Sequence, residues 1–265
     1  MTEVISDEQL IAQFSKQAME EPAVKVKTEA PSEPVVTLPG GFIELNGEVV
    51  KSVEVRELTG ADEEAIARAG NTSTAINVLL QRGLLRIGSR DATKDDLESL
   101  LSGDRDSILL GIRRVTFGNE LDLENVTCPN CRAEQSVSVH LIDDVPVREL
   151  KDPVADRTWE VETKKGTAVV SLPTGVVQKK LIDNVDKTSA EINTLLLSGC
   201  VLSVSGRPST GASTVLALGA ADRSKIVEEI IDRNPGPRLG EVKKACQACG
   251  EDISLPLSLL DLFRI

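Results

Sequence analysis

Apolar residues recur at helical spacing in two stretches of the chain that are close copies of each other. INVLLQRG at 76–83 returns as INTLLLSG at 192–199, 116 positions later, with apolar residues at i, i+3 and i+4 in both. Each stretch predicts a helix closed by a glycine, Gly83 or Gly199, at its C-cap. The matches continue in order. Asp104-Arg105 corresponds to Asp222-Arg223, Leu97 to Val215, Leu100 to Leu218, Ile108 to Ile226 and Ile112 to Ile230, all 118 positions apart. From each of those aspartates a CxxC motif begins 24 residues further on, at Cys128 and Cys246. LPGG at 38–41 is echoed by LPTG at 172–175, with a longer spacer in the first half. An ordered series at nearly constant offset implies a duplicated unit of roughly 90–100 residues.

Each unit reads as an extended segment after LP-x-G, alternating at Val53 and Val55 in the first copy, followed by the INxLLxxG helix. A short helix is expected around Leu97–Leu101, and around Ala212–Leu218 in the second copy. A longer helix then starts near Asp104 or Asp222, whose carboxylate can cap free N–H groups, with Ile108, Ile112 and Val115 as its buried stripe. A β-hairpin carrying the CxxC ends the unit. SGRPSTGAS at 205–213 reads as a flexible loop. The expected fold is α+β: two pseudo-symmetric repeats, 38–150 and 151–265, each with helices and a β-hairpin zinc knuckle, joined by one four-cysteine zinc-ribbon site.

Residues 1–37 form a different kind of segment, an N-terminal arm. Ser6 and Gln9 have capping-box spacing, with Ile5 and Leu10 at the staple positions. Leu10 and Phe14 share a helical face with Ile11 beside them, and the proline-bearing stretch 20–37 follows as an extended linker. A helix of about 14 residues is marginal alone in water and needs a surface. Leu10, Ile11 and Phe14 either bind a neighbouring subunit, fold back on their own domain, or belong to a frayed terminus.

Composition narrows the chemistry. The net charge is −12, there are four Phe, one Trp, no Tyr and a single His. An acidic surface repels phosphate backbones, and base stacking needs rings this chain lacks. With His140 alone, histidine metal sites and Ser-His-Asp catalysis have almost nothing to work with. No P-loop, GxGxxG or GxSxG occurs, and the acidic runs Asp62-Glu63-Glu64, Asp95-Asp96 and Asp143-Asp144 have the usual meaning of a solvated face. No window suits a membrane span, and the acidic N-terminus is unlike a secretory signal, so the chain is expected to fold in a reducing cytoplasm. There, regularly spaced cysteines suggest metal rather than disulfides. Cys128, Cys131, Cys246 and Cys249 together make a structural zinc site, with no position left for a catalytic water. Lys243 and Lys244 are placed to offset its formal charge of −2. Thiol redox chemistry, an iron–sulfur cluster and coincidental spacing are the alternatives. Cys200 is expected in the core, and His140 in a strand in a structural or solvent-facing role.

VEVRELTGADE at 53–63, GDRDSILLGIR at 103–113, Phe117-Gly118 and CPNC at 128–131 resemble, in that order, the baseplate (hub) protein family of T-even-like contractile-tailed bacteriophages. The resemblance implies a non-enzymatic structural protein of the virion, or an assembly factor, at the centre of the tail baseplate, assembled in the host cytoplasm. The expected function is a zinc-containing baseplate component that binds other baseplate and tail proteins. No membrane, nucleic acid or small-molecule substrate is expected among its partners. An assembly chaperone absent from the mature virion and a zinc-ribbon nucleic-acid-binding protein stay open beside it.

Overall fold

The computed structural model describes residues 34–263. The arm residues Leu10, Ile11 and Phe14 lie outside the described residues. The first half opens with a hairpin, β1 (Val35–Ile43) and β2 (Val49–Val55), followed by helices α1 (Gly60–Ala67) and α2 (Thr72–Gly83). Strands β3 (Leu84–Ile87) and β4 (Arg90–Asp91) complete an antiparallel sheet in the order β1-β2-β3-β4. Helices α3 (Lys94–Ser99) and α4 (Ser102–Phe117) then lead to the hairpin β5 (Glu120–Thr127) and β6 (Glu134–His140). After a short strand β7 (Val147–Arg148) the same order of elements returns. It runs through β8 (Thr158–Thr163), β9 (Gly166–Ser171), α5 (Gly175–Ile182), α6 (Ser189–Cys200), β10 (Val201–Val204) and β11 (Arg207–Pro208). Helices α7 (Ala212–Leu216) and α8 (Ala220–Arg233), the short β12 (Gly236–Pro237), the hairpin β13 (Lys243–Ala245) and β14 (Asp252–Ser254), and α9 (Leu259–Phe263) finish it. The second sheet has the order β11-β10-β9-β8.

The matched sequence positions do matched work. Leu97, Leu100, Ile108 and Ile112 are buried in a first core between the first sheet and its helices. Val215, Leu218, Ile226 and Ile230 are buried in the equivalent core of the second half, together with Cys200. A further core gathers around the two CxxC hairpins and draws on both halves, with Leu121, Val139 and Leu141 from one and Val242, Ile253 and Leu255 from the other.

Several local expectations are corrected. LPGG lies inside β1, whereas LPTG follows β9 and leads into α5, so the two are not equivalent. The counterpart of Thr174-Gly175 is Thr59-Gly60, each threonine being the N-cap residue of its helix, α5 or α1. Gly83 and Gly199 are not left-handed caps. They are helical residues whose missing Cβ admits Ile112 and Val177 respectively, and the chain passes into β3 and β10 through extended Leu84 and Val201. Asp104 and Asp222 sit at the third positions of α4 and α8, and the N–H that each accepts from belongs to another element. Asp104 Oδ1 accepts from the Gly40 N–H at 2.7 Å and Asp222 Oδ2 from the Lys164 N–H at 3.1 Å, so each ties its helix to its own sheet. Within 205–213, a turn with positive φ at Ser205 and Gly206 brings β11 back onto β10, and α7 begins at Ala212.

The acidic runs also divide. Asp62, 1% exposed, accepts from the Thr59 N–H and hydroxyl and from both Arg56 and Arg82. Asp96 does the same with Thr93 and Arg90. Both are the acid of a capping box, buried rather than solvated.

Candidate metal centre

Both CxxC segments are turns at the tips of hairpins, and their backbones fold alike. In the first, the Cys128 N–H donates to Ala133 O at 2.9 Å and the Arg132 N–H to Cys128 O at 3.0 Å. In the second, the Cys246 N–H donates to Glu251 O at 2.8 Å and the Gly250 N–H to Cys246 O at 2.9 Å. The residue after the second cysteine is left-handed in both, with φ of 62° at Arg132 and 79° at Gly250. Glycine adopts this conformation freely and arginine does not. In each turn the first cysteine is buried and the second exposed.

The hairpins bring these tips together across the two halves. All four sulfurs lie within 4.8 Å of one another. Cys128 Sγ stands 3.8 Å from Cys249 Sγ, and Cys131 Sγ stands 3.7 Å from Cys246 Sγ. Exchanging the halves turns one of these contacts into the other, so the meeting of the tips is reciprocal. Both distances are far beyond the ~2.05 Å of a disulfide bond. Four soft donors facing one point could bind a metal ion.

Polar neighbours support the cluster. The N–H groups of Cys249 and Ala248 point at Cys246 Sγ and hold its pKa down at about 6. The Ala133 N–H acts the same way on Cys131, but loss of hydration within the cluster and the three neighbouring sulfurs prevail and push that thiol up to about 11. Gln135, on β6 of the first half, accepts from the Gln247 N–H of the second turn at 3.0 Å. Asn130 Nδ2 lies 3.7 Å from Cys249 Sγ. Neither Asn130 nor Gln135 was expected from the sequence, because their roles depend on the partner hairpin.

The remaining candidates lie elsewhere. Lys244 pairs with Asp144 at 2.5 Å, so it links the two halves. His140 ends β6 and is partly exposed, with Nδ1 2.8 Å from Asp143 Oδ2. Cys200 is fully buried in the second-half core, and burial pushes its thiol up to about 12. Among the described residues no helix is long and apolar enough to cross a membrane.

A family model described as T4 bacteriophage base plate protein matches residues 43–264, a span that takes in all four clustered cysteines. No curated protein and no solved structure matches the chain.

Proposed function

Because the chain belongs to the T4 bacteriophage base plate protein family, we propose that it is a structural component of the baseplate hub, held in shape by one zinc ion. In this reading Cys128, Cys131, Cys246 and Cys249 are the four ligands and other baseplate subunits are the partners. Membership of the family implies a place in the phage tail among other tail proteins. The observation that carries the zinc reading is the spacing of the sulfurs. Zn–S bonds of about 2.3 Å place the corners of a tetrahedron about 3.8 Å apart, against 3.7 and 3.8 Å for the two cross-half pairs. Four thiolates fill the coordination sphere, so the ion supplies cross-linking and no chemistry.

The role of the site is geometric. Each half contributes one hairpin, and the shared core beneath the sulfurs contains residues of both. Fixing the tips therefore fixes that core, and partners meet a surface of constant shape. Zinc contributes an apparent ~10–16 kcal/mol in small zinc-finger peptides, enough to decide whether short hairpins fold. The arm residues Leu10, Ile11 and Phe14 are proposed as one of the partner-binding elements.

Elemental analysis of the purified protein should give one zinc per chain, and Cys128→Ser or Cys246→Ser should lower soluble yield and particle assembly together. Normal assembly by the double variant would remove the zinc from the mechanism. Mass spectrometry of purified particles decides between a resident subunit, which is found there, and a chaperone, which is not.

A further inference from the structure

The first half of the chain grips the second through one pair of surfaces, and the grip is not returned. On the gripping side are the loop between α3 and α4 and the first turn of α4. The Ser102 N–H donates to Pro173 O at 2.9 Å, the Gly175 N–H to Leu100 O at 2.9 Å, and Arg105 Nε to Gln178 Oε1 at 2.6 Å. On the gripped side are the start of α5 and the chain leaving α8, where Asn234 Oδ1 lies 3.2 Å from the Ser102 hydroxyl. Two glycines make the approach possible. A Cβ on Gly175 would strike Leu97 O and Arg105, and one on Gly103 would strike the backbone of Pro235.

Since the halves share one order of elements, each surface exists twice. The second gripping surface is the loop between α7 and α8 with the start of α8, where Gly219, Ala220 and Arg223 stand for Leu101, Ser102 and Arg105. The second gripped surface is the start of α1 with the end of α4, where Gly60, Glu63 and Phe117 stand for Gly175, Gln178 and Pro235. Both are bare. Gly219 and Ala220 are exposed where Leu101 and Ser102 are buried, and Gly60 and Glu63 are exposed where Gly175 and Gln178 are buried. Leu216 on one surface and Phe117 on the other are each 59% exposed. A pocket of about 310 Å³ opens between α1, α4 and α9, walled by Leu58, Ile66, Leu79, Phe117 and Phe263. Gly60 has open space where a Cβ would stand, so among the described residues nothing calls for the glycine that its counterpart needs.

We propose that two copies of this chain join head to tail, the α7–α8 loop of one seating on the α1 start and pocket of the next. The occupant follows from the molecule itself, which already joins this pair of surfaces once. Arg223 would face Glu63 where Arg105 faces Gln178, adding an opposite charge to the internal arrangement. The small residues Ala217, Gly219 and Ala220 leave room for the protruding Phe117. Ala221 stands where Gly103 does, so the copies cannot approach as closely there, and the contact is weaker than the internal one. The two surfaces differ, so a joined pair still presents one free surface of each kind and the contact propagates into a ring or filament. The contact involves no cysteine and is independent of the zinc reading.

Sedimentation velocity of the full-length, metal-loaded protein tests this over a concentration series, at ionic strength that screens the −12 charge. The average mass should climb from 28.4 kDa through dimers to larger species as concentration rises. Gly60→Trp, which projects into open space in the monomer, should abolish the climb while leaving the circular dichroism spectrum and melting curve unchanged. Glu63→Arg should weaken association, and adding Arg223→Glu should restore it; this pair decides the matter should Gly60→Trp perturb folding. A constant monomer mass, a closed dimer that grows no further, or association indifferent to Glu63→Arg would overturn the proposal.

Discussion

Arg132 occupies a backbone position that its own counterpart gives to glycine. Its φ of 62° is in the region where a Cβ costs about 1–2 kcal/mol, against roughly 0.5–1 kcal/mol for the extra chain entropy of glycine. Arg132→Gly should therefore stabilise the metal-loaded protein slightly, by up to about 1 kcal/mol in urea unfolding. Gly250→Ala should cost about 1 kcal/mol, since only its φ and no neighbour opposes a side chain; a neutral Gly250→Ala would show that the turn does not enforce this conformation. A second residue-level effect lies at the seam between the halves. Burial pushes the pKa of Asp106 up to about 7, against the opposing pull of its bond from Gln178 and of Arg105, with the nearby Asp104 adding to the rise. Burial also pushes Asp104 to about 6, against the Gly40 N–H and Arg157. Both bind protons more tightly folded than unfolded, where 3.8 is the reference. Their contribution to stability is full below about pH 4 and is lost as pH rises towards about 7. Urea midpoints should show a smaller loss of stability across this window in Asp106→Asn than in the wild type. Acid release of metal affects both proteins and cancels in the difference, so equal pH profiles would contradict the raised pKa. Asp62 and Asp96 show how far residues were legible. The spacing T-x-x-D at 59–62 and 93–96 is in the sequence, but reading these positions as charge runs concealed it. Only the fold supplies Arg56, Arg82 and Arg90 as partners.

At the scale of elements, periodicity revealed the helices because each of α2, α4, α6 and α8 buries a stripe long enough to repeat. The strands β3 and β10 escaped notice because each continues from a helix with no intervening turn and has only four residues. Equivalent elements also acquire different burdens, which a repeat in sequence cannot reveal. Arg105 on α4 is 1% exposed and donates to Gln178, Asn77 and Leu97 O, while Arg223 at the same position of α8 is partly exposed and donates to Ala190 O and Thr194 Oγ1 of its own half. Removing Arg105 strands the acceptors Gln178 Oε1, Asn77 Oδ1 and Leu97 O, each at a cost of about 1–3 kcal/mol where buried, whereas removing a surface charge costs about 1 kcal/mol or less. Arg105→Ala should accordingly lower stability several-fold more than Arg223→Ala in paired unfolding experiments. Arg105→Lys should recover little, because an ammonium cannot reproduce the guanidinium fork. Similar losses from both alanine variants would mean that the seam contributes no more than the surface of α8.

At the scale of the whole molecule, the halves meet in two different ways. The cysteine tips and the core beneath them meet reciprocally, and that meeting was legible because CxxC spacing has few other meanings in a reducing compartment. The α3–α4 grip on α5 is one-way, and it was not legible because Gly103 against Ala221 and Gln178 against Glu63 matter only once the surfaces are in contact. This division predicts what metal removal does. The first and second cores and the seam contain none of the four cysteines proposed as ligands, whereas Cys128 and Cys246 are buried members of the shared core. Without an ion the four sulfurs cannot all stay ionised at such short range, so the hairpins lose the group that draws them together. A strong chelator should then expose the amides of 121–139 and 243–255 to hydrogen exchange. Those of 108–112 and 226–230, in the two α+β cores, should keep their protection, and a separate calorimetric transition should persist for them. Joint loss of all four segments would instead make the ion the support of the entire fold, with the one-way grip too weak to hold the halves on its own.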